Sequence, residues 1–171
     1  MECKPLKYKY KPFVIAGAIC ALCIAFMVAA LVYSGAREPA QAEFKPPPFE
    51  AAAQAGTPEV PEAMGWSEIS QEGMGFAAFI SGRPAAKAGA LTVYFTNPAE
   101  NAVWLKLRVL DAAGKVIGES GLIRPGAYVR SVILDRVPAD GAQIKLKIMA
   151  YEPETYYSAG AVGLNTTITV E

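Results

Sequence analysis

The chain contains no histidine in 171 residues. That absence removes the usual general base of serine and cysteine hydrolases together with the commonest transition-metal ligand. Cysteine is nearly absent too: Cys3, Cys20 and Cys23 all precede the long C-terminal part, which therefore has no thiol for a disulfide, a zinc site or a nucleophile. Net charge is missing as well, with 16 Lys+Arg against 16 Asp+Glu, so no global field draws the chain to nucleic acid. With no cofactor or metal motif either, the sequence reads as non-catalytic, and whatever folds after the cysteines must be held by packing.

What is present is arranged by region. Lys4, Lys7, Lys9 and Lys11 form a basic tail over residues 1–12, and residues 13–33 follow without a single charge. A helix of that length spans roughly 31 Å at about 1.5 Å per residue, enough to cross a bilayer. The lysines on one side, with Arg37 and Glu38 beyond the other, place the N-terminus in the cytoplasm and the rest outside. A cleaved signal peptide is the alternative, because Ser34-Gly35-Ala36 and Ala40-Gln41-Ala42 carry small residues where a signal peptidase reads. Cleavage near Ala36 or Ala42 would release the C-terminal part as a secreted protein. Lipid attachment fits less well, since Ile19 and Leu22 precede Cys20 and Cys23 where a small residue is wanted. Gly17, Ala21, Ala25 and Ala29 recur every fourth position, which on a helix makes a smooth stripe that either serves as a helix-packing face or reflects the abundance of alanine.

Residues 34–64 hold six prolines and no sustained apolar period, so they read as an extended linker. From residue 65 to 171 the pattern becomes short alternating runs. Leu91, Val93 and Phe95 oppose Thr92, Tyr94 and Thr96; Val103, Leu105, Leu107 and Val109 oppose Trp104, Lys106 and Arg108. Ile144, Leu146 and Ile148 repeat the rule, and Val162, Leu164, Thr166, Ile168 and Val170 make one final strand. Asp111-Ala112-Ala113-Gly114 and Arg124-Pro125-Gly126-Ala127 have tight-turn chemistry. About seven strands are predicted, the signature of an all-β, immunoglobulin-like antiparallel sandwich.

The runs TVYFTNPAENAVWLKLRVLDAAGKVIGESGLIRPGAYVRSVIL and IKLKIMAYEPETYYSAGAVGLNTTITV resemble small membrane-anchored extracytoplasmic proteins of unknown function from Gram-positive anaerobic bacteria. The resemblance implies one N-terminal anchor, a variable linker and a C-terminal sandwich at a bacterial surface, and brings no catalytic motif.

The candidate contact surface is the stretch 151–157, where Tyr151, Tyr156 and Tyr157 flank Glu152 and Glu154. Rings beside carboxylates suit a peptide or a sugar; the same tyrosines could instead cover the end of the core. Trp104 is added as an outward aromatic. Glu152 and Glu154 as a glycosidase pair would need to flank a substrate from both sides, which neighbours on one loop rarely do. Asp135 and Asp140 lack the dense spacing of a calcium loop. Lys106, Arg108, Lys145 and Lys147 read either as a basic patch for anionic wall polymer or as residues that keep a sheet soluble. The expected function is a surface module making protein–protein contacts in an envelope or cell-surface assembly, with binding of cell-wall carbohydrate or peptide through residues 151–157 as the alternative.

Overall fold

A computed structural model describes residues 11–35, 44–70, 73 and 75–171. The chain divides into two units, Met1–Lys45 and Pro46–Glu171. In the first, α1 (Lys11–Gly35) is one uninterrupted helix, and its stretch Val14–Tyr33 is long and apolar enough to cross a membrane, a test that a signal sequence also passes. Gly17, Ala21, Ala25 and Ala29 all lie on this helix. Ser34 and Gly35 of the first cleavage sequence end this helix; the basic tail before Lys11, Ala36 and the second cleavage sequence, Ala40-Gln41-Ala42, fall outside the described residues.

The second unit is the expected sandwich of two sheets. The strands are β1 (Gln54–Ala55), β2 (Trp66–Ile69), β3 (Ala78–Ser81), β4 (Ala85–Lys87), β5 (Ala90–Asn97), β6 (Trp104–Asp111), β7 (Val116–Glu119), β8 (Ala127–Ile133), β9 (Gln143–Tyr151), β10 (Ser158–Thr167) and β11 (Thr169–Val170). One sheet runs β1-β8-β5-β3-β2, with β4 on β5 and β11 on β4; the other runs β10-β9-β6-β7. The alternation that predicted the strands is the alternation that fills the core. Leu105, Leu107 and Val109 from β6 and Leu146 and Ile148 from β9 meet Ile80, Leu91, Val93 and Phe95 from the opposite sheet, all fully buried. Burying each such side chain contributes about 1.5–3 kcal/mol, which is how the fold holds without disulfides.

The turns follow their residues. Gly114 closes β6–β7 with its N–H donating to the Asp111 carbonyl (2.9 Å), and Gly126 supplies the positive φ (74°) of the turn before β8.

Three features depart from the sequence reading. First, the boundary between linker and domain lies near residue 46, not 65. Leu122 N–H donates to the Pro48 carbonyl and Glu50 N–H to the Leu122 carbonyl, both at 2.9 Å, while Leu105 and Ile123 exchange backbone hydrogen bonds (3.0 and 2.8 Å). Residues 48–50 thus extend the β10-β9-β6 side, and from Gln54 onward β1 pairs with β8 in the other sheet. Second, the strands number eleven among the described residues rather than about seven, the additions being short edge pieces. The predicted final strand breaks at Ile168, whose N–H and carbonyl turn to Ala142 and Gly141 (3.0 Å each), so that β10 and β11 belong to different sheets.

Third, β5 carries a bulge. Thr92 faces Ser131 and Phe95 faces Val129, which leaves Val93 and Tyr94 opposite Arg130 alone. Tyr94 takes a positive φ of 45° and is buried rather than outward and solvated. The neighbouring crossing explains part of this. From β1 the chain must reach β2 at the opposite edge of the same sheet. Thr57, on that path, lines one depression with Trp66, Phe79 and Thr96 and a second with Tyr94, Tyr128 and Arg130. Residues 56–65 are therefore a strap across the outer face of the sheet.

Candidate functional site

The 151–157 stretch is the turn joining β9 to β10, and its backbone closes on itself. Glu152 N–H donates to the Tyr157 carbonyl (2.9 Å), Tyr156 N–H to the Glu152 carbonyl (3.0 Å) and Thr155 N–H to the Pro153 carbonyl (2.7 Å). This tightness forces Glu154 and Tyr156 to positive φ, 67° and 58°, a region that side chains with a Cβ seldom occupy. The result aims Tyr156 back over β6: its ring stands edge-on to Trp104 with centroids 5.2 Å apart.

Trp104 sits opposite Tyr151 in the β6–β9 register, so the two share a face. On its other side Trp104 meets Phe49, edge-on at 4.8 Å, and the guanidinium of Arg124 lies 3.9 Å above the Phe49 ring. An aromatic ledge results, running from Arg124 through Phe49 and Trp104 to Tyr156. Contacts of this kind are worth about 0.5–1.5 kcal/mol each beyond area burial.

The ledge brings together two of the sequence-selected residues, Trp104 and Tyr156, with Tyr151 beside Trp104 on the same face. Tyr157 lies beyond it with 71% of its surface exposed. Glu152 and Glu154 are exposed on the turn, where Glu152 accepts the Thr155 hydroxyl (3.2 Å). Phe49 and Arg124 were missed. The signal for Phe49 was an aromatic ring directly after three prolines, in a segment otherwise poor in large apolar residues.

The remaining candidates have local partners. Lys106, expected outward and solvated, is only 5% exposed and donates to Glu119 (2.8 Å), whose second oxygen takes Arg108 Nε (2.9 Å). Partial burial works against the charged form of Glu119, but the hydrogen bonds from Lys106 and Arg108 outweigh it and hold the carboxyl below its ordinary range. Asp111 is likewise lowered, first by the Lys115 N–H and then by that of Ala113 and by Arg136, against a desolvation that acts the other way. Asp140 accepts the Val170 N–H (2.9 Å), the anchoring role of a turn aspartate. Lys145 lies over Gly163, within 2.5 Å of where a Cβ would stand. Asn165 is on β10. Among the described residues no three acidic or cysteine side chains group as metal ligands do.

No protein-family model matches the chain, and no curated protein matches it. Among solved structures it is similar to CopC from Methylosinus trichosporium OB3b at 14% identity and a TM-score of 0.34, over 55% of this chain and 95% of that one. A likeness that low carries no weight for function.

Proposed function

We propose that this protein is a non-catalytic, membrane-anchored surface module. The helix tethers, and the β domain makes protein–protein contacts in an envelope or cell-surface assembly. The observation that carries the reading is the aromatic ledge. A cation stacked on Phe49, the ring edges of Trp104 and Tyr156, and the exposed Tyr157 next to two carboxylates have the Tyr, Trp and Arg composition of contact centres. The four lysines before Phe13 support a cytoplasmic N-terminus by the positive-inside rule, and with it a ledge outside the cell.

Two measurements test this. In intact cells, external protease should remove the β domain while residues before α1 stay protected; protection of both ends rejects the orientation. A photo-crosslinker at Tyr157 in native membranes should then capture a discrete protein partner, and Tyr157→Ala should weaken that association. If the variant keeps its protein partner but loses affinity for a wall polysaccharide, carbohydrate binding at 151–157 replaces the assembly reading.

A further inference from the structure

The strap divides the outer face of the β1-β8-β5-β3-β2 sheet into two depressions. The one nearer the β5–β6 turn has a volume of about 390 Å³, inside the range of roughly 300–1,000 Å³ typical of ligand sites. Trp66 and Phe79, stacked at 4.5 Å and 22°, form one side, with Thr57, Pro98, Ala99 and Gly126 around them.

Three of its polar side chains, Trp66, Thr96 and Asn97, are already engaged. The Trp66 indole N–H and the Thr96 hydroxyl both donate to the Tyr94 carbonyl (3.3 and 3.2 Å). The Asn97 amide donates to the carbonyls of Val103 and Ile123 (2.9 Å each). A ligand entering this slot meets aromatic and aliphatic surface with few open hydrogen-bonding groups. A sugar would find little to satisfy its hydroxyls, and an ordinary extended peptide would bury N–H groups that lack acceptors. Proline has no N–H to satisfy, and a polyproline segment is already ordered before it binds.

The chain itself supplies an example on the same face. The strap contains Pro58-Glu59-Val60-Pro61, with Pro58 buried and Pro61 at φ −57°, ψ 136°, close to polyproline II values.

We propose that the Trp66–Phe79 slot docks an extended, proline-rich polypeptide segment lying alongside the strap. Glu100 at the rim favours a lysine or arginine next to the prolines. The slot lies on the face opposite the sheet that bears Trp104, and the inference does not rest on the role of the aromatic ledge.

The test is fluorescence anisotropy with full-length protein in detergent micelles, using a labelled lysine-flanked polyproline peptide and a Gly/Ser control of the same charge. The proline probe should bind saturably, and the control at least about ten-fold more weakly, a difference of roughly 1.4 kcal/mol. Ala99→Trp, which fills the slot from an exposed turn position, should reduce affinity about ten-fold or more without lowering the unfolding midpoint. Glu100→Lys should weaken binding of the lysine-flanked probe independently of slot volume. Absence of saturable binding, equal binding of the control, or full affinity in both variants overturns the proposal. So does displacement of the probe by a neutral oligosaccharide but not by unlabelled polyproline.

Discussion

The docking of residues 48–50 on the sandwich depends on one glycine. A Cβ on Gly121 would stand 2.5 Å from the Glu50 nitrogen, 2.7 Å from its Cα and 2.8 Å from the Phe49 carbonyl carbon. All three are backbone atoms, so no side chain can rotate away. Ordinary van der Waals contact requires the segment to retreat by about 1 Å. Three hydrogen bonds hold it: Leu122 N–H to Pro48, Glu50 N–H to Leu122, and Gly121 N–H to the Glu50 carboxylate, at 2.9, 2.9 and 2.8 Å. Such a retreat stretches each beyond the roughly 3.2 Å limit of a useful N–H···O bond. Overpacking of this kind costs about 1–3 kcal/mol, and losing the charge-assisted bond alone about 1.5–3 kcal/mol. Gly121→Ala should therefore destabilise the domain by about 2–3 kcal/mol, lowering the unfolding midpoint by roughly 6–12 °C. Gly121 does not occupy the left-handed region, so the substitution probes close approach without added backbone strain. Gly82→Ala is the matched control, with open space around its Cβ position and no positive φ. The assay is thermal unfolding of full-length protein followed by tryptophan emission, with cleavage at Glu50 by a glutamate-specific protease as the local readout. An unchanged midpoint together with undiminished protection of Glu50 would refute the reasoning.

Asn97 is fully buried, and its amide joins the β5–β6 turn to the 121–126 segment through two carbonyls while its oxygen accepts Asn101 Nδ2 (2.6 Å). Asn97→Leu removes all three hydrogen bonds and takes the amide donor from the Val103 carbonyl, which should cost about 3 kcal/mol in urea unfolding; a loss near zero would mean the network is dispensable. Glu119 has a folded-state pKa below its ordinary 4.5, so its charge stabilises the fold above that value and the contribution disappears as pH falls through the lowered one. Glu119→Gln should accordingly flatten the loss of stability below about pH 4.5, and acid limbs that stay parallel would argue against the ion-pair assignment. Tyr157→Ala should change stability by less than about 0.5 kcal/mol, whereas Trp104→Ala, which removes the centre of the ledge, should cost about 2 kcal/mol or more.

The parts of the fold that the sequence made legible are those where side chains decide the outcome. Alternating large apolar residues specify which face of β5, β6 and β9 is buried, and a glycine three residues after Asp111 closes a turn. Trp104 and the tyrosine-rich turn stood out for the same reason. What escaped notice is carried by the backbone. The pairing of residues 48–50 uses the carbonyl of Pro48 and the N–H of Glu50, groups that every proline and every glutamate possess. A proline-rich composition predicts an extended chain, and an extended chain with its acceptors free is also what a sheet edge can recruit. The bulge at Tyr94 and the change of sheet at Ile168 are hidden likewise, because each is a choice of hydrogen-bond partner imposed by the neighbouring strands. Phe49 and Arg124 entered the ledge only once that backbone pairing had brought them to Trp104. Gly121 is the sharpest case. It lies between a buried serine and a buried leucine and needs no special φ, so in a single sequence it looks like any small residue near a turn. Its necessity exists only relative to Glu50, 71 residues away, and the segment it admits is the one that pairs with Leu122 and leads into β1 on the other sheet.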